Sequence, residues 1–447
     1  MSACSRSAGP LRRSTVLLYG LPGFATALPA IPVYILLPEL YATQTALGVA
    51  TIGLVFMVAR LFDVVTDPLV GWMLDRFETP WGRRKPWIAL GGVICTPALM
   101  LVVSPGPDTG VPTLLAGLFL LYFGWTVFQI PYYAWASEMT SDHYQRTRLT
   151  VSREGMVLAG ILAASALPVG LAYAGVAEQN RFLVIAGVTA AVGATAVAAL
   201  LWFVPKETHV LRAPSRAGRG LWHALRSNGL FRRLAGAWAI NGLANGFAVV
   251  HFPFFVTHVL QANDIEKAWL LFIYIGSGIA ALPLWLHASR RIGKVPCWLF
   301  ALVGSCAVFV WVPFLSAHEI ALFGVVCVLT GVALGADMAL PPSALADVAD
   351  WDRLRFDVDR TSSLFAIWTM GSKVSLAAAA GIGLSSAAWL GFEANGDNDA
   401  VALLAVAVLY AGVPVALKLM VVGLLYRFRL TERAHRAVRL RLERRTA

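Results

Sequence analysis

The 447-residue sequence has little charge: Asp, Glu, Lys and Arg together make up 14% of it, against roughly 25% of a typical soluble domain. Hydrophobic residues account for 58% of the chain. Because a membrane-crossing helix needs about 20 apolar residues, a chain of this length has room for about a dozen such helices and for no large soluble catalytic domain. The composition therefore predicts an all-α polytopic membrane protein.

Pairs of cysteines or histidines at ligand spacing are also lacking. The five cysteines lie far apart, without a CxxC pair, and the eight histidines include no HExxH pattern. This spacing indicates neither a disulfide framework nor a zinc site, and no cofactor is expected. Since no nucleophile is paired with a base in the sequence, we do not expect an enzyme.

Apolar windows of about 19 residues predict twelve membrane spans. These lie at 16–41, 47–74, 87–104, 112–140, 150–175, 181–204, 233–260, 266–287, 296–315, 319–347, 363–389 and 399–427. Outside the spans, Lys and Arg collect at the N-terminus, in the even-numbered connections and in the C-terminal tail, except for Arg181 and Lys267. By the positive-inside rule, both termini are predicted to be cytoplasmic, and the net charge of +11 needs no nucleic-acid partner.

A basic stretch after the sixth span divides the chain into two halves. We predict an N-terminal six-helix bundle at 1–205, a cytoplasmic linker at 206–232, a second six-helix bundle at 233–427 and a basic cytoplasmic tail at 428–447. The halves resemble each other at an offset of about 210 residues. In each half, a proline in the fourth span is followed by an acidic, Arg-containing loop, within the runs 130–148 and 341–363. The matching positions are Pro86 and Pro296, Gly82 and Gly293, and Pro131 and Pro341. Two such halves are typical of parallel-repeat secondary transporters, which favours a carrier over a channel.

Charges inside the predicted spans are rare, and three of them share one helical face. Arg60, Asp63 and Asp67 follow the spacing i, i+3, i+7. Two carboxylates with one Arg leave about one negative charge, which a proton or a hard cation such as Na+ would neutralise. A structural Arg60–Asp63 pair is the alternative, but it leaves Asp67 unexplained. Pro68 predicts a local break in this helix.

The second half contains further polar residues at membrane depth. Lys373 lies alone deep in span eleven, so its partner is expected to be a carboxylate or a polar substrate. Asn241 and Asn245 are spaced i, i+4 in span seven, and they contact either substrate or a neighbouring helix. Asp337 is open to a structural or a functional role. For Lys418, reaching a membrane interface is one option, and no role is assigned to it.

Aromatic and polar side chains alternate in span four, in WTVFQIPYYAWASE at 125–138. An aromatic face with a polar rim suits a sugar, whose C–H face stacks while its hydroxyls form hydrogen bonds. Gln129 and Tyr133 are therefore candidate substrate contacts. Helix packing or an interfacial aromatic belt is the alternative for any single ring.

The run ARLFDVVTDPLVGWMLDRFETPWGRRKPW at 59–87 resembles the signature of the glycoside-pentoside-hexuronide:cation symporters. This family is a branch of the major facilitator superfamily and is typified by the melibiose permease. IPYYAWASEM, followed by an Arg-containing segment to Arg153, and ALADVADW, followed by Lys373, extend the resemblance over both halves. It implies the major facilitator fold and secondary active symport of a glycoside, pentoside or hexuronide with Na+ or H+.

The resemblance also implies roles for individual residues. The predicted cation site, with Na+ as a possible ion, consists of Asp63, Asp67, Thr126 and Thr66. For substrate contacts, the resemblance implies Arg60, which links the cation and sugar regions, and Tyr133, Arg153 and Lys373. The residues themselves add Gln129, Asn241 and Asn245 to the predicted substrate contacts. The predicted cytoplasmic gating loop contains Asp75, Gly82, Arg83 and Arg84.

Two positions depart from the melibiose permease, because Ala27 and Gln129 stand where it presents carboxylates to the sugar. Their absence favours an anionic substrate such as a hexuronide, with Lys373 and Arg153 as counter-charges. A lysophospholipid is an alternative, since a sodium-dependent lysophosphatidylcholine symporter shares the wider lineage and keeps the paired aspartates. A non-transporting substrate sensor is a further alternative. The expected setting is the lipid bilayer of a bacterial inner membrane.

Overall fold

The computed structural model describes residues 11–74, 80–140, 143–205, 227–357 and 361–426, with the single positions 428, 438 and 441. Twelve helices within these residues are long and apolar enough to cross a membrane, and each overlaps one predicted span. The prediction of twelve membrane helices is thus confirmed. In chain order they are α1 Arg13–Gln44, α2 Val49–Leu74, α3 Lys85–Val103, α4 Val111–Met139, α5 His143–Tyr173, α6 Glu178–Phe203, α7 Gly229–Val259, α8 Asp264–Ile292, α9 Lys294–Phe309, α10 Ile320–Phe356, α11 Thr361–Trp389 and α12 Ala400–Leu425.

The predicted end of the fourth span, at 140, agrees with the structure, whereas the predicted end of the tenth span, at 347, is wrong. Helix α4 continues to Met139, and α10 continues through its two prolines to Phe356. Alanine and leucine are strong helix formers, and charged residues at the end of a membrane helix need only face water. Helix α10 ends where Asp357 takes the left-handed conformation, with φ of 53°.

The predicted break at Pro68 is also wrong, because α2 is continuous from Val49 to Leu74. Proline removes one backbone hydrogen-bond donor, but the remaining backbone hydrogen bonds of this long helix keep it continuous. Local widening occurs elsewhere, as π-helical turns at Pro32–Leu36 in α1, Phe255–Val259 in α7 and Val408–Gly412 in α12. Such turns are common at functional sites.

The chain forms two compact units. The first unit comprises the described residues of 1–33 and 62–213, and the second those of 34–61 and 214–447. Helices α1 and α2 therefore each contribute one half to each unit. The predicted linker lies mostly outside the described residues, and so does most of the predicted tail. The boundaries of the two predicted bundles stay a prediction.

Each unit has its own buried aromatic core. In the first unit, Tyr19 and Tyr132 each donate a hydrogen bond from the phenol to the other's backbone carbonyl, at 2.7 and 2.6 Å. In the second unit, Trp298 and Phe231 are fully buried among apolar side chains of α7, α9, α10 and α12. These cores hold the helices on which the candidate sites lie.

The internal repeat extends to backbone conformation. Gly82 precedes α3 with φ of 112°, and Gly293 precedes α9 with φ of 94°. Only glycine adopts such angles without steric cost. The glycines that the sequence pairs at the start of the third helix in each half therefore form equivalent turns.

Candidate cation and substrate sites

The three residues at the centre of the predicted cation site lie together in the first unit. Asp63 and Asp67 are one turn apart on α2, and Thr126 approaches them from α4. The Thr126 hydroxyl Oγ1 lies 2.9 Å from Asp63 Oδ1 and 2.8 Å from Asp67 Oδ1. Asp63 and Thr126 are buried, whereas Asp67 is half-buried.

This geometry suits one exchangeable positive charge. A hydroxyl has a single proton, so Thr126 donates to one carboxylate at a time and its second close contact joins two lone-pair oxygens. A proton or a cation shared among these oxygens would relieve that contact. Carboxylate and hydroxyl oxygens are ligands of hard cations, whereas Thr66 Oγ1 donates along the helix to the Asp63 carbonyl at 3.2 Å. Among the described residues, no group of three or more His, Cys, Asp or Glu forms a metal centre.

Arg60 belongs to the second unit, where its guanidinium lies over an aromatic ring. Its central carbon is 4.0 Å from the centroid of the Tyr34 ring, and the residue is buried. A cation over a ring face at this distance is a stabilising contact. The sequence did not indicate Tyr34 as its neighbour. The predicted role of Arg60 in the substrate region stays a prediction.

Three predicted substrate contacts lie together in the first unit. Gln129 Nε2 donates to the hydroxyl of Tyr133 at 2.8 Å, both from α4. The guanidinium carbon of Arg153, from α5, lies 3.9 Å from the centroid of the Tyr133 ring. Tyr133 is 42% exposed, so the ring is accessible beside a cation and an amide.

Sequence reasoning missed Glu154, which accepts hydrogen bonds from Arg153. The distances from its Oε1 are 3.1 Å to Nε and 2.6 Å to Nη2. Neighbours in sequence do not ordinarily face each other on a helix, so helical spacing did not predict this pair. Because the Glu154 side chain is 55% exposed, solvent weakens this ion pair.

Two predicted contacts of the second half, Asn241 and Asn245, lie in a buried ion-pair cluster, which they form with Trp298, Asp337 and Lys418. Asp337 Oδ2 accepts from the amide nitrogens of Asn241 and Asn245 at 3.1 and 3.0 Å. Lys418 Nζ donates to the amide oxygens of the same residues at 3.3 and 2.8 Å and lies 3.5 Å from Asp337 Oδ2. Trp298 Nε1 donates to Asp337 Oδ1.

The cluster settles two local questions left by the sequence. The option that Lys418 reaches a membrane interface is wrong, because its side chain is 11% exposed and points into the bundle. Both asparagine amides contact neighbouring helices, which is one of the two alternatives, and their predicted contact with substrate stays a prediction. The signal for the cluster was the coincidence of two isolated charges, Asp337 and Lys418, in apolar spans.

Lys373 lies half-buried on α11 in the second unit. The preceding residue, Ser372, accepts a hydrogen bond from Trp238 Nε1 at 2.6 Å, and Trp238 stacks on Trp368 with ring centroids 4.5 Å apart. The sequence did not indicate this tryptophan pair. The contact of Lys373 with substrate stays a prediction.

The predicted gating loop is described in part. Gly82 forms the turn before α3, Arg83 follows it, and Arg84 is buried directly before the helix begins. Asp75 lies outside the described residues. The role of this loop in gating stays a prediction.

The twelve apolar helices of the described residues, with buried clusters of charged side chains, are typical of a polytopic membrane protein. The chain matches the model of the MFS/sugar transport protein family over residues 18–432. It therefore belongs to this family of the major facilitator superfamily, as the resemblance to glycoside symporters predicted.

Two relatives and one solved structure illustrate the match. The chain is 22% identical to the glucuronide carrier protein homolog of Escherichia coli strain K12 over 416 residues, 91% of this chain and 90% of that protein. It is 24% identical to the sodium-dependent lysophosphatidylcholine symporter 1-A of Danio rerio over 384 residues, 76% of this chain and 71% of that protein. The crystal structure of a D-xylose-proton symporter shares the fold, with a TM-score of 0.68 at 13% identity, covering 94% of this chain and 98% of that one.

The family assignment confirms several predictions. The protein is a multi-pass integral membrane transporter with the major facilitator fold, its substrate is a small molecule, and it is a carrier rather than an enzyme. The location of its termini relative to the cytoplasm stays a prediction.

Proposed function

We propose that the protein is a symporter that uses Na+ or H+ to drive uptake of a glycoside, pentoside or hexuronide by alternating access across a bacterial inner membrane. The observation that carries this proposal is the contact of one hydroxyl, that of Thr126, with both Asp63 and Asp67. The site offers a place for one exchangeable cation at membrane depth.

Coupling follows from the free-energy cost of charge inside a membrane protein. An extra negative charge at this depth is unfavourable, and a bound cation removes it. A cation that binds one conformation better than another shifts the equilibrium between them. Neutralisation of Asp63 and Asp67 would thereby favour substrate binding and the conformational change of the loaded carrier.

The sugar assignment is supported by the group around Tyr133. Its accessible ring offers a stacking surface, while Gln129 and Arg153 supply hydrogen-bond donors. The printed name of the Escherichia coli relative, a glucuronide carrier, supports a sugar acid as the substrate. A carboxylate on the substrate would take the place of Glu154 beside Arg153.

A lysophospholipid is the second candidate, favoured by the Danio rerio relative and by a cavity in the first unit. The cavity lies among α1, α3, α4 and α6 and has mainly apolar walls. Its lining includes Pro22, Val93, Leu121, Trp125 and Leu201. An acyl chain fits such a surface better than a sugar does.

The test is the thermal stability of the purified protein in detergent. Neutral glycosides, hexuronides and lysophospholipids would be compared with and without Na+ at two pH values, because a ligand of the folded state raises its stability. We expect a sugar or sugar acid to stabilise the protein, with an increase from Na+ or from lower pH. Asp67→Asn should abolish that increase, whereas the control Asp108→Asn, at an exposed turn, should retain it.

The other outcomes are equally informative. A full cation effect in Asp67→Asn would contradict the proposed coupling site. Stabilisation by lysophospholipids alone would replace the sugar with the second candidate. Uptake into liposomes driven by a cation gradient separates a transporter from a substrate sensor, which would bind without flux.

A further inference from the structure

Each half has a polar group shortly before the proline of its fourth helix. Pro131 in α4 and Pro341 in α10 are paired in the internal repeat. Thr126 lies five residues before the first proline and Asp337 lies four residues before the second, so the two are close in the repeat but not equivalent. Each unit therefore has a polar group near this proline, with different neighbours.

The charges of the buried ion-pair cluster in the second unit are satisfied within it. Among the described residues, the Asp337 carboxylate accepts hydrogen bonds from Trp298, Asn241 and Asn245 and faces the ammonium of Lys418. The ammonium in turn donates to both asparagines. The cluster is thus neutral as a whole, whereas the first unit's site joins two carboxylates through one hydroxyl.

The ammonium of Lys418 lies where oxygen atoms converge. Its Nζ is 2.8 Å from Asn245 Oδ1, 3.3 Å from Asn241 Oδ1 and 3.5 Å from Asp337 Oδ2. One carboxylate and two amide oxygens are typical ligands of a hard cation. These three ligands come from α7 and α10, whereas Lys418 reaches them from α12.

The cluster also borders an internal cavity of about 200 Å³. Asn245, Asp337 and Lys418 line it together with the hydroxyl groups of Ser305 and Thr330. Since a water molecule takes up about 30 Å³ in the liquid, this volume holds a cation with several waters. A cation that replaced the ammonium would therefore have both ligands and space.

We propose that Lys418 is a tethered counter-cation that occupies, in the second unit, a latent Na+ site formed by Asp337, Asn241 and Asn245. The mobile cation would then be confined to the first unit, and each transport cycle would couple to that site alone. The statement that transport couples to the first unit's site alone rests on the proposed function. The latent site in the second unit is tested independently of that function.

The alternative is an ion pair that only holds α7, α10 and α12 together. Both explanations expect loss of the lysine to destabilise the protein, because it leaves a buried carboxylate without its cation. They differ in what restores stability. A latent site is restored by a free cation, whereas a purely structural pair is restored only by removal of the carboxylate charge.

The experiment uses Lys418→Met in an Asp67→Asn background, where the first site is already disabled. Thermal stability is measured in detergent with choline or with Na+ at one fixed pH, because acid would remove the carboxylate charge under either explanation. We expect Asp67→Asn alone to show no Na+ effect and the double variant to gain a shift on the order of 5 °C with Na+. Adding Asp337→Asn should abolish that shift.

A conservative variant provides the matched control. Lys418→Arg retains a tethered cation, so Asp67→Asn/Lys418→Arg should show no cation effect. Absence of a Na+ effect in Asp67→Asn/Lys418→Met overturns the proposal. So does failure of this variant to fold in every cation, whether or not the triple variant folds, because no free cation then replaces the ammonium.

The two proposals fail in different measurements. A cation effect that Asp67→Asn leaves intact contradicts the first site, and it is read from the variants that keep Lys418. The latent site is read only from the additional effect that appears with Lys418→Met and disappears with Asp337→Asn.

Discussion

Lys267 Nζ lies 2.9 Å from Glu39 Oε1, and each side chain is only about one-tenth exposed, at 12% and 11%. The pair joins the second half of α1 to the start of α8 within the second unit. Thr257 also donates to the same carboxylate oxygen, at 3.0 Å. Lys267 is one of the two basic residues in the predicted odd-numbered connections, so its position is set by this contact rather than by the topology rule.

Loss of one partner of this pair should be more harmful than loss of both. We expect Lys267→Met to lower the free energy of unfolding by ~3 kcal/mol, because Glu39 remains buried without its cation. Glu39→Gln/Lys267→Met should recover most of that loss. Thermal and denaturant unfolding of the four proteins in a double-mutant cycle measures the coupling. Additive effects of the two single substitutions would contradict the pair's importance.

Removal of the Thr126 hydroxyl should weaken cation binding. Thr126→Val has nearly the same shape but no oxygen for Asp63 and Asp67. The expected result is a cation concentration for half-maximal stabilisation that rises ~10-fold, in line with the loss of one hydrogen bond to a charged group. Thr126→Ser keeps the hydroxyl and serves as the control. Equal cation titrations for the valine variant and the wild-type protein would show that the hydroxyl is not a ligand.

The ring and the hydroxyl of Tyr133 should contribute separately to substrate binding. Tyr133→Phe removes the acceptor of the Gln129 hydrogen bond and keeps the ring that Arg153 covers. We expect little change in apparent affinity for this variant and a decrease of ~10-fold for Tyr133→Ala, because an aromatic contact is worth about 1 kcal/mol beyond its buried area. The measurement is the substrate dependence of thermal stability. Equal losses in both variants would assign the role to the hydroxyl.

The close approach of α2 to α11 in the second unit depends on Gly53. A Cβ atom there would lie 2.7 Å from the Ala380 carbonyl oxygen and 2.8 Å from Leu384 Cβ. Gly53→Ala should therefore lower the free energy of unfolding by about 1–3 kcal/mol through overpacking. Gly371→Ala on α11 is the control, since no heavy atom lies within 4 Å of its added Cβ. The same unfolding free energy for Gly53→Ala and the wild-type protein would show that the helices separate readily.

Local sequence patterns predicted the helices and half of the candidate cation site. Twelve apolar runs were sufficient for twelve membrane helices, because the bilayer interior requires backbone hydrogen bonds to be made within each helix. The separation of four residues placed Asp63 and Asp67 on one helical face, because an α-helix has about 3.6 residues per turn. The end of α10 was not predictable from its charges, since charged residues outside the apolar layer do not end a helix.

Contacts between helices were decided by the tertiary structure. The family resemblance named Thr126, but its position between both carboxylates depends on how α4 packs against α2. Lys418 illustrates the limit of local reasoning: a lysine in an apolar span can reach an interface or turn inward, and the hydropathy of the span is the same in either case. The packing of α7, α9, α10 and α12 decided for the interior, because only there do Asp337 and the asparagine oxygens satisfy its charge. The sequence alone thus determined where the chain crosses the membrane and which charges need partners, whereas packing determined which partners they have.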